Sequence, residues 1–262
     1  MDGAKLHPKI VERVEFIGVP GSGKTTLSTA LAAALRAAGE RPLAPRDARA
    51  VFAQRSLLAR LARAAAPQAV GDRAARRLYF WQGGREKERF WRAHEALFRQ
   101  VQVTQQARPA AARAAERRVV ELFHAFARDT AMLVRWMRLD ERLIMDEGFA
   151  HRVVQFFVSD VEEPDLAAVR AYLRLLPPPS WLVYVHAPHE TCLRRVFERG
   201  LWQHFEDKDE AQIARFLTNA QTVVETAVAE LSRAGWRVIR VENDERPPEA
   251  TAQDLLRQIC AR

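Results

Sequence analysis

Apolar positions along the chain fall into two rhythms. Short apolar runs predict strands at residues 10–17, 40–44 (the weakest), 142–146, 181–185 and 236–241. Between them, apolar residues at three- and four-residue intervals predict helices at 24–38, 151–158, 164–176, 188–199, 210–234 and 248–261. Gly39, Gly235 and Pro177-Pro178-Pro179 supply the stops. From 48 to 139 the helical rhythm is nearly continuous, over 48–66, 72–103 and 109–139, with breaks expected at Pro67, Gly83-Gly84 and Arg108-Pro109. Leu78, Trp81, Phe90-Trp91, Leu97-Phe98 and Val101 carry the spacing there, so Trp81 and the other tryptophans read as core. Strands alternating with helices predict an α/β fold: a parallel sheet flanked by helices in three layers, in one domain over 1–262. Residues 48–140 form a large helical insertion between the second and third strands.

An apolar fraction of 48% in 262 residues is enough for a sizeable core. No stretch is long and apolar enough for a membrane span, and Met1 to Pro8 lacks an apolar signal core. Cys192 and Cys260 form neither a disulfide framework nor a metal spacing, and the expected location is the cytoplasm. Charge changes the picture in one segment. Arg46 to Asp140 holds 20 Lys and Arg against 9 Asp and Glu, a net of +11, which leaves −3 for the rest of a chain of net +8. Either arginine simply decorates solvated helix faces there, or the segment is a surface for an acidic partner such as a phosphorylated substrate, a membrane or nucleic acid.

The chemistry starts at the first strand. Val14 to Ile17 runs directly into Gly18-Val19-Pro20-Gly21-Ser22-Gly23-Lys24-Thr25-Thr26, which has the Gly-x-x-x-x-Gly-Lys-Thr spacing, and then into an alanine-rich helix. That strand, loop and helix context is what a phosphate-binding loop requires, and it predicts the P-loop NTPase fold. Gly18, Gly21 and Gly23 let backbone N–H groups close on an anion, and the helix dipole points at the same place. Lys24 reaches the outer phosphates of ATP, and the Thr25 hydroxyl completes the shell of a bound Mg²⁺; Pro20, Ser22 and Thr26 complete the nucleotide contacts.

Two later constellations belong beside that loop. Leu143-Ile144-Met145-Asp146-Glu147 puts carboxylates at the carboxyl end of a buried strand, where ligands bind in open α/β sheets. Asp146 there holds Mg²⁺ or takes the proton of an attacking hydroxyl, and Asp146-Glu147 also fits the Walker-B pattern of an ATPase. His151 and Arg152 follow closely enough to face the site. Arg194, Arg195 and Arg199 end a helix just after the clearest buried strand. Guanidinium groups at that point clamp a transferring phosphoryl group, and Arg195 and Arg199 share a helix face. In the insertion, Trp81-Gln82 has the form of a base-stacking and amide-reading pair, with Gln82 the polar member.

Phe16–Thr26, Arg142–Asp146 and Trp181–Gly200 with Phe205-Glu206 together resemble the thymidylate kinase and deoxynucleoside kinase superfamily, over roughly residues 12–45 and 141–243. The resemblance implies transfer of the γ-phosphoryl of ATP, with Mg²⁺, to a nucleoside, nucleoside monophosphate or related hydroxylated metabolite. It makes Asp146 the acid at the third-strand end, and Arg194, Arg195 and Arg199 the arginines of a lid. It places Asp47 where an acid contacts the acceptor, and the 48–140 insertion becomes the acceptor-side subdomain. Two departures stand out: Glu147 occupies a position where that superfamily usually has arginine, and Leu201 another. The competing reading is a P-loop ATPase or nucleotide-binding regulatory protein that uses Asp146-Glu147 as a Walker-B pair. A homodimer is the candidate assembly, and the basic segment is the candidate contact for nucleic acid or membrane.

Overall fold

The computed structural model describes residues 12–106, 113–199, 205, 208–244 and 246–261. Five parallel strands form one sheet in the order β2-β3-β1-β4-β5: β1 Arg13–Ile17, β2 Arg41–Leu43, β3 Glu141–Met145, β4 Trp181–His186 and β5 Val238–Glu242. The central strands β1, β3 and β4 are buried on both faces, in keeping with their largely apolar sequences. Val14 and Phe16 of β1 face one core layer, closed by α1 (Lys24–Ala37) and α11 (Pro248–Cys260). Ile17 faces the larger layer on the other side, which α7 (Arg152–Phe157), α8 (Leu166–Leu173), α9 (His189–Glu198) and α10 (Glu210–Arg233) share with the insertion. This is the three-layer P-loop NTPase architecture expected from the sequence.

The insertion comprises α2 (Ala48–Arg55), α3 (Leu57–Ala64), α4 (Gln68–Ala93), α5 (Glu95–Gln106) and α6 (Arg113–Trp136), between the neighbouring strands β2 and β3. Three expectations are corrected here. The 48–66 segment is two helices, because Ser56 turns extended and caps α3. The helix does not break at Gly83-Gly84. Gly83 is where α4 lies against α6, and a side chain there would press on Arg128. The break falls instead at His94, whose ring packs 4.4 Å from that of Phe90. Trp81 is not core: α4 buries Gly71, Ala75, Tyr79 and Gly83, and Trp81 points away, 56% exposed under the Arg85 guanidinium at 4.0 Å. Trp91, Trp136 and Trp236 do pack against the core.

Residues 10 and 11 of the first strand, the Arg108-Pro109 break and most of the loop from Gly200 to Asp209, including Leu201 and Glu206, lie outside the described residues.

Candidate active site

The loop after β1 takes its shape from three glycines, each for a separate reason. Gly21 and Gly23 have φ of +81° and +91°, a region that disfavours side chains. Gly18 is close-packed: a methyl group there would collide with the Val185 carbonyl of β4 and with Ser22 Oγ. Neighbouring elements also use the space. Gly21 lies against the backbone of Cys192 in α9, and Gly23 against the side-chain amide of Asn243, which donates 2.7 Å to the Ser22 carbonyl. Gly23 starts α1 without a capping side chain, so the first-turn N–H groups are left for an anion. Ser22 Oγ is buried in the same cradle, with no hydrogen-bond partner among the described residues. Lys24 is buried and its ammonium donates 3.0 Å to the Val19 carbonyl. Loss of water lowers its pKa to about 8, with Arg199 adding to the fall while Glu147, Cys192 and Asp146 oppose it. Thr25 and Thr26 open to solvent at the helix start. These N–H groups are the kind of donors that could hold a polyphosphate, and Thr25 and Asp146 are the hard oxygen donors that could hold Mg²⁺.

The acids arrive from β3. Its register with β1 sets Met145 beside Glu15, which brings Asp146 level with Phe16, just below the loop. Asp146 Oδ1 accepts from the Glu147 N–H at 3.1 Å. Around Glu147 lie His151 Nε2 at 3.6 Å, Gln155 Nε2 at 3.4 Å and Arg152 Nη1 at 3.9 Å. Burial pushes the Glu147 carboxyl up, but His151, Lys24 and Arg152 outweigh it and hold the group well below the usual range. Burial, aided by Lys24, lowers the His151 pKa against the pull of Glu147. Arg152 donates to the Glu147 carbonyl and to Gln155 Oε1, and its guanidinium lies 4.4 Å over the Phe126 ring of the insertion.

Glu15 is a residue that sequence reading passed over. It is fully buried in the central strand, its carboxylate 3.0 Å from Arg13 Nε and accepting 3.1 Å from the Ala150 N–H. Gly148 has no room for a side chain because that carboxylate fills the space. Burial raises the Glu15 pKa against the pull of Arg13. Glu15 therefore ties the turn after Asp146-Glu147 to β1. The one signal in the sequence was an acid inside the apolar run before the glycine loop. Asn243 carried no signal at all.

The arginines separate. Arg199 lies close enough for its charge to act on Lys24. Arg195 donates to the carbonyls of Asn243 and Asp244, at 2.9 and 3.0 Å, and so braces the loop after β5. Arg194 is exposed and pairs with Glu198 at 3.0 Å. Asp47 follows β2 and accepts from the Ala44 N–H at 2.8 Å, while Gln82 is half-buried on α4. Among the described residues, no hydrogen bond or ion pair joins Asp47, Gln82 or Arg194 to the Lys24 group. The structure thus brings together Lys24, Asp146, Glu147, Arg152 and Arg199.

No protein-family model matches the chain, and no curated protein does. Among solved structures it is similar to shikimate kinase from Acinetobacter baumannii in complex with shikimate, at 13% identity and a TM-score of 0.39, over 97% of this chain and 95% of that one. It is also similar to deoxyadenosine kinase from M. mycoides. The form with products dCMP and a flexible dCDP bound gives 9% identity and a TM-score of 0.46, over 95% and 98% of the two chains. The form with bound dCTP gives 10% and 0.38, over 94% and 99%. Likenesses this distant leave the reaction to be argued from the chain's own residues.

Proposed function

We propose that the chain is an ATP- and Mg²⁺-dependent phosphotransferase that moves the γ-phosphoryl of ATP to a small hydroxylated acceptor: a nucleoside, a nucleoside monophosphate or a related metabolite. The observation that carries this is the meeting of Lys24 in the glycine cradle with Asp146 and Glu147 at the end of the adjacent parallel strand, with Arg199 beside them. The cradle and Lys24 hold the phosphates. Mg²⁺, held by Thr25 and Asp146, would neutralise charge between the outer phosphates. The acceptor hydroxyl, or a phosphate oxygen of a nucleoside monophosphate, attacks the γ-phosphorus as the bond to ADP breaks, and a hydroxyl's proton passes to a carboxylate. Asp146, whose charge acts on Lys24, takes that proton where it does not itself hold the metal, and Asp47 is the other candidate base. Arg199 answers the charge that spreads over the transferred group. Arg152, which lies over Phe126 of the insertion, and its neighbour Glu147 would hold the acceptor.

The side-by-side carboxylates also favour a second reading, ATP hydrolysis with Glu147 orienting water. An acceptor screen with ATP against nucleosides, nucleoside monophosphates and hydroxylated metabolites separates the two. ATP turnover that rises with one acceptor class and yields a phosphorylated product supports the kinase, and turnover indifferent to every acceptor sinks it. Lys24→Ala is expected to abolish turnover with the fold intact.

A further inference from the structure

The most unusual surface lies away from the Lys24 group, on α3. This helix reads Leu57-Leu58-Ala59-Arg60-Leu61-Ala62-Arg63-Ala64. Its packing contact is Ala59, which is fully buried, and the tight approach of Arg63 to Gly71 locks it against α4. The three leucines, spaced at i, i+1 and i+4 on one helix face, point outward and are 63%, 59% and 55% exposed. Isolated exposed leucines are ordinary, but three on one face of an eight-residue helix form a patch that asks for a partner.

Charge decides among partners. From Ser56 to Arg85 there are six arginines and one carboxylate, Asp72, which pairs with Arg63 at 2.7 Å. Arg60, Arg73 and Arg77 are exposed and have no ion pair among the described residues. On α4 the outward row continues with Val70 and with Trp81 under Arg85. A second copy of the chain would bring like charge against like charge at a two-fold contact. A nucleic acid would satisfy the arginines and leave the leucines in water. An anionic bilayer satisfies both, because leucines enter the acyl boundary while arginines and an interfacial tryptophan stay at the headgroups.

We propose that α3 and the outward face of α4 dock the protein on an anionic lipid surface. The test is co-sedimentation of the full chain with vesicles of phosphatidylcholine alone or mixed with phosphatidylglycerol, at low and at physiological salt. Wild type is expected to bind the mixed vesicles, and to weaken with salt as interfacial arginines are screened. Leu57→Ser/Leu58→Ser/Leu61→Ser should bind about tenfold less or worse. Arg60→Gln/Arg77→Gln should lose the preference for phosphatidylglycerol. These side chains are exposed, and an unchanged urea midpoint confirms the fold. The idea is overturned if wild type fails to bind mixed vesicles at low salt, or if the leucine variant binds as well as wild type. It is equally overturned if the leucine variant instead turns a dimer into a monomer, or if only RNA or DNA is bound.

Discussion

Glu15 offers the sharpest test of how the active-site turn is held. Glu15→Ala removes the carboxylate facing Arg13, in a pair whose side chains are 0% and 13% exposed, and takes the acceptor from the Ala150 N–H. Breaking a buried pair from one side costs about 3–5 kcal/mol, because the remaining charge keeps its desolvation penalty. Glu15's own burial cost, visible in its raised pKa, is relieved by the change, so the lower end applies: about 3 kcal/mol. At about 2–4 °C per kcal/mol for a domain of this size, the melting temperature should fall by roughly 6–12 °C. Glu15→Gln keeps the shape and an oxygen for Ala150 but loses the charge, and should cost about 1–2 kcal/mol. Urea unfolding followed by circular dichroism measures all three proteins. A Glu15→Ala midpoint equal to that of wild type would refute the claim that this buried pair holds the turn.

Three further outcomes follow from the same geometry. Lys24 in the free protein loses its proton near pH 8, so ATP affinity should weaken as pH rises through that value and hold steady in Lys24→Arg; a titration of the dissociation constant against pH reads this. Asn243→Ala orphans the buried Ser22 carbonyl and should cost about 1–3 kcal/mol, read by urea unfolding, with weaker nucleotide binding alongside. Burial keeps His94 and His124 neutral among the rings of the insertion, so their folded pKa values lie below 6.5. The stability that depends on their neutrality is present above that value and lost as pH falls below it, and His94→Phe/His124→Phe should shrink the drop in urea midpoint between about pH 7.5 and about pH 5.

The glycine loop, the strand ends and the sheet with its long insertion were legible because each is written in local spacing. Gly-x-x-x-x-Gly-Lys-Thr needs no distant partner to be recognised, and Asp146 needs only its place after an apolar strand. What failed to show depends on contacts far along the chain. Asn243 meets Ser22 across 221 positions, and nothing around it marks it. Gly83-Gly84 reads as a helix breaker until α6 is seen against it. Trp81 shares helical spacing with Leu78, yet the inward face of α4 is set by small residues at Gly71, Ala75 and Gly83. Arg195 has the sequence setting of a phosphate clamp, but its guanidinium is taken by two backbone carbonyls.

The insertion leaves the sheet from β2 and rejoins it at β3, and these strands are neighbours. Arg55 closes the neck, gripping the Glu141 carboxylate with both arms and the Trp136 carbonyl at 2.7 Å, while the Arg138 N–H holds the same carboxylate. Such a neck works as a socket. A helical module grafted between α2 and the end of α6 would keep the β2–β3 pairing at its root, but it would have to rebuild the ring contacts that Phe90, Phe123 and Phe126 make with Phe149 and the seat of Arg152 on Phe126. A grafted insertion that keeps Arg55, Glu141 and the rings facing Phe149 is therefore the natural unit for redesign.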